Sequence, residues 1–400
     1  MREPLNQIIE GIPSSGIRKF FDLVSEMHDP EVISLGVGEP DFDTPWHVRE
    51  EGIYSLTKGK TFYSPNAGLR DLRCAISSFM KSHYDLSYDP DGEILVTVGG
   101  SEAIDACFRA MLDPGDEVIV PEPCFVSYKP CAVLAGAKPV VIDLKEEAKF
   151  RLQPEQLLKA ITPKTKLVFL SYPNNPTGAV MDREDLERIA QIVIDHDLYV
   201  ISDEIYAELN YSEQPFVSIA SLPGMAERTI VVNGFSKAFA MTGWRLGYAA
   251  GPARIIRQML KIHQYAIMCA PTTAQYAAIE ALKNGEADIV AMREEYDRRR
   301  RYLMMRFQEI GLPCFEAKGA FYVFPCIKQF GMSSEEFATA LLREQKVAVV
   351  PGDAFGASGE GFVRISYAYS LRALKKAMAR IETFVRQHGA SGSREDQDAE

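Results

Sequence analysis

Seven short runs rich in aliphatic and β-branched residues punctuate the stretch from about residue 94 to residue 250. They cover 94–98, 117–120, 139–143, 167–171, 198–203, 229–233 and 246–250. Between most of them lie segments whose apolar residues recur at helical spacing, at 101–112, 154–161 and 183–194. Strands that alternate with amphipathic helices predict an α/β unit whose largely parallel sheet is covered on both faces. The connection 234–245 is too short and too interrupted by glycine for an ordinary crossover helix. One strand is therefore expected to run antiparallel, in a mixed sheet of seven strands.

A second pattern follows a long charged helix at about 287–309. Strands are expected at 321–325, 347–350 and 362–366, and helices at 334–344 and 371–387. The chain thus divides into an N-terminal segment (1–45) that packs with the smaller unit, a large domain (46–286) and a small α+β domain (287–388). The Gly/Ser-rich, acidic tail 389–400 is expected to be disordered.

Composition agrees with this division. The 400 residues exceed the ~250–300 that one hydrophobic core supports. Apolar residues at 46% and charged residues at 25% are those of an ordinary soluble globular protein. The 44 basic against 55 acidic side chains leave −11, a charge that nucleic acid or an anionic membrane would repel. No apolar stretch approaches the ~20 residues of a membrane span, and the first residues do not read as a signal peptide. Seven scattered cysteines without a C-x-x-C pair read as reduced thiols, and six dispersed histidines leave no metal site expected. The expected compartment is the cytoplasm.

In open α/β sheets ligands gather at the carboxyl ends of the strands, and four such ends carry chemistry. The first leads through Gly99, Gly100, Ser101 and Glu102 into a helix, whose glycines and free N–H groups suit a phosphate. A Gly-Gly turn capped by Ser101 would look the same. The fourth ends in Ser171-Tyr172-Pro173-Asn174-Asn175-Pro176-Thr177-Gly178, a rigid turn. The fifth ends in Asp203-Glu204-Ile205-Tyr206, where a carboxylate follows apolar residues and needs a partner. Glu204, pointing the other way, reads as exposed or as hydrogen-bonded to a turn. The sixth ends in Ser236-Lys237, with Arg245 soon after. It is no G-x-S-x-G elbow, because Ala238 takes the place of the last glycine. Lys237 stands between Phe235 and Phe239, and an apolar setting with cationic neighbours lowers a lysine's pKa and frees its amine to attack a carbonyl.

A phosphate cradle, a buried acid, a nucleophilic lysine and an arginine together match the needs of pyridoxal 5′-phosphate. With N-N-P-T-G, then D-E-x-Y, then S-K-x-x-x-M-T-G-W-R-x-G in order, the chain resembles the class I/II aminotransferases of the fold-type-I pyridoxal-phosphate enzymes over about 32–385. Asn175 and Asp203 are 28 residues apart, and Asp203 and Lys237 are 34 apart. The resemblance implies that Lys237 holds the cofactor covalently and later moves the proton between Cα and C4′. It implies that Asp203 pairs with the pyridine nitrogen, and that Asn175 and Tyr206 bond the phenolic oxygen. Gly100, Ser101, Glu102 (through its backbone N–H), Ser236 and Arg245 would line the phosphate pocket, and Phe125 would stack on the ring. Arg364 would clamp the substrate α-carboxylate beside Gly38 and Asn175, a task for which a planar fork is suited. Tyr63 would reach the phosphate of a neighbouring subunit, which implies a homodimer with shared sites.

The expected reaction is a ping-pong transfer of the amino group from an L-amino acid of aspartate, aromatic or alanine type to a 2-oxo acid, with 2-oxoglutarate the expected acceptor. A carbon–sulfur β-lyase resembles the family in the same motifs and is the alternative. A transcription regulator built on this fold would need a DNA-binding domain ahead of residue 32, for which there is no room. Arg298-Arg299-Arg300-Arg301, beside Glu294, Glu295 and Asp297, reads as a solvated charged helix face and not as a nucleic-acid site. Arg109 could reach a distal carboxylate, or stand as a solvated helix arginine.

Overall fold

The apolar runs do become strands, and burial on both faces explains the near-continuous apolar character of most of them; the run at 139–143 lies in a largely exposed edge strand. The computed structural model describes residues 4–26 and 28–389. A short strand near the N-terminus, β1 (Ile33–Ser34), precedes the main sheet. The sheet comprises β2 (Ile94–Thr97), β3 (Glu117–Glu122), β4 (Lys138–Asp143), β5 (Thr165–Ser171), β6 (Tyr199–Asp203), β7 (Thr229–Gly234) and β8 (Gly247–Ala250). Its spatial order is β2-β8-β7-β6-β5-β3-β4. Only β8 runs antiparallel to its neighbours, pairing Val231 with Ala250 on one side and Ile94 with Ala250 on the other. The expected mixed, seven-stranded sheet is present.

Helices cover both faces. The Gly100–Met111 and Ala253–Ala266 helices enclose one apolar cluster with Val118, Val120, Phe169 and Val232. On the other face the Arg183–Asp195 helix closes a cluster with Ile119, Val168 and Val200. Alternate residues of a strand point to opposite faces, which is why Val118 and Ile119 serve different cores.

The remaining strands are β9 (Tyr322–Val323), β10 (Val347–Ala348), β11 (Val350–Pro351) and β12 (Val363–Ser366). They form an antiparallel set in the order β11-β12-β9 and a parallel pair of β1 with β10. The single strand expected at 347–350 is thus two strands. The chain changes partner at Val349, from β1 to β12, while all four of its residues stay buried. The β1–β10 pair also seats the N-terminal segment beside the C-terminal part of the chain.

The Glu286–Ile310 helix matches the charged segment, but its arginine quartet is not one solvated face. Arg299 and Arg300 are buried, at 5% and 7% exposure. Arg299 donates to Asp41 at 2.7 Å and to Glu295 at 2.8 Å, and Arg300 donates to Asp297 at 2.8 Å and to the Ala317 carbonyl at 3.1 Å. Only Arg298 and Arg301 face water, because consecutive helix residues point about 100° apart. At the other end, Gly389 closes the Leu371–Gly389 helix, and the remainder of the expected disordered tail, 390–400, lies outside the described residues. Among the described residues no helix is long and apolar enough to cross a membrane.

Candidate active site

The carboxyl ends of β5, β6 and β7 converge with the Arg364 strand on a cavity of about 380 Å³. Every predicted site residue except Tyr63 and Glu102 lines it. A larger cleft of about 570 Å³, from Arg151 to Lys318, contains none of them.

The floor is a glycine-built approach of two backbones. Gly99 (φ 81°) precedes the Gly100–Met111 helix, a left-handed conformation that favours glycine. A Cβ on Gly247 would lie 2.7 Å from the Gly100 nitrogen and 2.7 Å from the Gly99 carbonyl carbon. A Cβ on Gly99 would lie 2.9 Å from an Arg245 guanidinium nitrogen, so the arginine rests against bare backbone. Helix N–H groups, Ser101, Ser236 and Arg245 therefore face one corner of the cavity. That donor set suits a phosphate. Glu102 does not turn its side chain there: one oxygen accepts from the Val98 N–H and the other meets His263 Nδ1 at 2.5 Å.

On β6, Asp203 is buried, and burial pushes its carboxyl above the usual range. Tyr128 donates to it at 2.8 Å and the Ile205 N–H at 3.2 Å, with Lys237 adding a nearby positive charge; all three favour the anion. Glu204 points away, as expected, but it is not exposed. It is 1% accessible, accepts from Ser202 at 2.8 Å and from Ser218 at 2.6 Å, and is pushed up to about 7 by burial. Ser218 caps the turn Ile219–Ser221, so the turn-bonded alternative is the one that holds.

Lys237 follows β7 on a turn whose phenylalanines, Phe235 and Phe239, are both buried. Its ammonium donates to the Gly38 carbonyl at 2.7 Å. Burial brings its pKa down to about 8; Glu39 and Asp203 resist the shift, while Arg364 and Arg245 assist it.

The two adjacent asparagines divide their work. Asn174 accepts from the Thr177 hydroxyl at 2.7 Å and from its N–H at 3.2 Å, which fixes the turn. Asn175 faces the cavity and accepts from Arg364 Nη1 at 2.9 Å. Arg364 is 2% exposed on β12, and its second Nη donates to the Gly36 carbonyl. Phe125 meets the Tyr128 ring edge-on at 5.7 Å.

Among the lining residues to which sequence reasoning gave no role are two tyrosines, Tyr128 and Tyr322. Tyr128 lies three residues beyond Phe125 in the same strand-end segment, and that proximity was the available signal. Tyr322 hydrogen-bonds the Tyr206 hydroxyl at 2.8 Å, and its ring lies 4.5 Å from the Arg364 guanidinium. Nothing in its apolar strand announces this. Tyr63 is 82% exposed, outside its own chain's cavity. Arg109 pairs with Asp105 at 2.8 Å on the surface, the solvated alternative.

The model of the family described as Aminotransferase class I and II matches residues 30–381. The aspartate aminotransferase of Pyrococcus abyssi is 50% identical over 375 residues, covering 93% of this chain and 96% of its own. The aromatic-amino-acid aminotransferase 2 of Thermococcus litoralis is 46% identical over 385 residues, covering 96% and 98%. Among solved structures, the aspartate aminotransferase of Thermus thermophilus with maleate is similar at a TM-score of 0.91 and 41% identity, covering 96% of this chain and 100% of that one.

Proposed function

The chain belongs to the class I and II aminotransferases, and from that premise we propose that it binds pyridoxal 5′-phosphate in the Lys237 cavity and moves an amino group from an aspartate- or aromatic-type L-amino acid to a 2-oxo acid, with 2-oxoglutarate as acceptor. The observation that carries this reading is one buried acid, one lysine of lowered pKa and one buried arginine fork around a single cavity. The names of the two relatives support both donor types, and they favour transamination over the β-lyase alternative.

When bound, the cofactor supplies an aldehyde that takes the amine and a pyridine ring that draws electrons from Cα. The residues of this chain supply the rest. The Gly100–Ser101 helix start, Ser236 and Arg245 hold the phosphate, and the Glu102 N–H adds a donor while its side chain braces Val98 and His263. Asp203, kept anionic by Tyr128, holds a proton on the ring nitrogen. Asn175 and Tyr206 donate to the phenolic oxygen, and Phe125 covers the ring face. Arg364 grips the α-carboxylate and, with the nearby Gly38 backbone and Asn175, sets the Cα–H toward Lys237. The Lys237 amine would then take that proton and return it two atoms along, at C4′ beyond the substrate nitrogen.

We read the chain as a homodimer that shares its sites. Trp46, Ile53, Tyr54, Phe62, Tyr63 and Tyr265 expose between 52% and 86% of their surface. The 62–66 turn is tied to the start of the Thr272–Asn284 helix by Asn66 donating to the Met268 carbonyl at 2.7 Å and Thr272 to the Phe62 carbonyl at 2.8 Å. An apolar surface of this kind suits a second copy, which would receive Tyr63. A cytoplasmic location fits the seven unpaired cysteines. The division at 45, 286 and 388 fits the position of the Glu286–Ile310 helix between the two sets of strands.

The test is to load the protein with pyridoxal 5′-phosphate, reduce it with borohydride and map the modified residue. The mass is expected on Lys237, with bleaching of the visible band by aspartate or an aromatic amino acid and restoration by 2-oxoglutarate. An unmodified Lys237 would refute the reading.

A further inference from the structure

Tyr322 is buried in the cavity wall and belongs to neither the sequence motifs nor the roles assigned above. Its hydroxyl lies 2.8 Å from the Tyr206 hydroxyl. A Cβ on Gly38 would come within 2.4 Å of that oxygen, so the chain at Gly38 closes directly over it. The same Gly38 offers its carbonyl to Lys237 at 2.7 Å. Below, β9 pairs with β12 so that Tyr322 opposes Ser366 and sits diagonal to Arg364, bringing its ring 4.5 Å from the guanidinium. One side chain thus touches the phenol at one end of the cavity and the carboxylate fork at the other.

We propose that Tyr322 is a positioning residue with two separable parts: a hydroxyl that sets Tyr206 as a donor, and a ring that supports Arg364. This rests on the reading of the cavity as a pyridoxal-phosphate site. The direction of the hydroxyl pair follows from proton counting. Each phenol has one proton. If Tyr206 gives its proton to the phenolic oxygen of the cofactor, the bond between the two tyrosines can form only with Tyr322 as donor. Two donors in series polarise one another, so Tyr206 becomes the stronger donor for it. The ring works differently, as a flat, electron-rich support that keeps the guanidinium in plane without occupying the N–H groups meant for substrate.

Two variants separate the parts. Tyr322→Phe keeps the ring and removes the hydroxyl, and Tyr322→Leu removes both. With Tyr206 a weaker donor, the phenolic oxygen holds the proton it shares with the Lys237 nitrogen more tightly. The pH midpoint of the visible band is then expected to rise by about half a unit in Tyr322→Phe, the scale of one lost hydrogen bond, with KM for the amino acid within twofold of wild type. Tyr322→Leu is expected to show the same rise together with a KM increase of about three- to tenfold. The charges facing Lys237, which are Glu39, Asp203, Arg245 and Arg364, are unchanged in both. A Phe variant that titrates at the wild-type midpoint, or one that raises KM as much as the Leu variant, overturns the proposal while leaving the cofactor reading intact. A wild-type protein that forms no visible band takes both down.

Discussion

The Tyr128 hydroxyl donates to Oδ2 of Asp203 across 2.8 Å, inside a buried pocket where it also meets the Ser171 hydroxyl at 3.0 Å. In its proposed role Asp203 must stay anionic to hold a proton on a ring nitrogen, yet burial works against that charge. Removing the donor leaves a buried carboxylate oxygen short of a partner, a loss of about 1–3 kcal/mol. Tyr128→Phe is therefore expected to weaken cofactor binding and to lower kcat, each by about five- to one-hundredfold, with the same KM for the amino acid. Equilibrium titration of the visible band with pyridoxal phosphate measures the first effect, and unchanged affinity would contradict it.

Arg364 is a fork held in place by Asn175, the Gly36 carbonyl and the Tyr322 ring. A lysine there has the charge but not the planar pair of donors. Arg364→Lys is expected to raise KM for the amino donor about ten- to one-hundredfold, since bonds to a charged carboxylate are worth about 1.5–3 kcal/mol. The acceptor should suffer equally, because both proposed substrates carry an α-carboxylate. A selective loss of one partner would mean that another group binds the other.

The pKa of Lys237, brought down to about 8, sets a kinetic signature for the apoprotein. In the proposed reading the neutral amine is the nucleophile, so the rate of cofactor incorporation should rise with pH and level off above about 8. A lysine at its ordinary value of about 10.4 would still be gaining tenfold per unit at pH 9. Stopped-flow measurement of band formation from pH 6 to pH 10 distinguishes the two.

How much of this was legible in the sequence depends on whether a residue's role leaves a mark on its neighbours. Strands β2, β3, β5, β6 and β7 did, because burial on both faces makes the middle of each rich in valine, isoleucine and leucine; β8, which is Gly-Tyr-Ala-Ala, and the largely exposed edge strand β4 carry a weaker mark. Lys237 and Asp203 did as well, since a charge set in an apolar strand end needs a reason. Tyr322 did not: an aromatic on a buried strand looks the same whether it fills the core or touches a guanidinium. The break at Val349 left no trace either, because changing the pairing partner costs no change in composition. The arginine quartet shows a third case. Four identical residues carry no phase of their own; it is set by Ile289, Met292, Tyr296, Leu303 and Phe307 on the same helix, which put Arg299 and Arg300 on the buried face, where Asp41, Tyr367 and Ala317 from distant parts of the chain supply their partners.

The start of the Glu286–Ile310 helix is pinned by two histidines, each shared between carboxylates. His83 meets Glu208 at 3.1 Å and Glu286 at 3.2 Å; His47 meets Glu280 at 2.8 Å and Asp288 at 2.9 Å. Burial works against both charges, but the carboxylates outweigh it and both pKa values rise, with Arg293 opposing at His83. A raised folded pKa gives stability that is full below the ordinary histidine value of about 6.5 and is lost as pH climbs through the folded value. The double variant His47→Gln, His83→Gln should thus melt about 1–2 °C below wild type at pH 6, since such part-exposed pairs are worth no more than about 1 kcal/mol each. The gap should close by pH 9. Melting curves across that range check it, and a gap that widened with pH would reverse the assigned sign.

Gly247 begins β8 where the strand crosses the start of the Gly100–Met111 helix, and both atoms that a Cβ would strike at 2.7 Å are backbone. Backbone cannot rotate out of the way as a flexible side chain can, so Gly247→Ala must push the helix start from the sheet. Overpacking of this kind costs about 1–3 kcal/mol. The displaced atoms also present the N–H groups proposed to hold the phosphate, so cofactor affinity should fall at least about tenfold, beyond what the loss of stability explains. Gly243 provides the contrast: it lies four residues earlier, and a Cβ there would meet nothing within 4 Å. Gly243→Ala should leave melting temperature and cofactor affinity at wild-type values. Parallel titration and melting of the two variants tests the cradle directly, and equal behaviour of the pair would show that the glycine contact does not shape the phosphate corner.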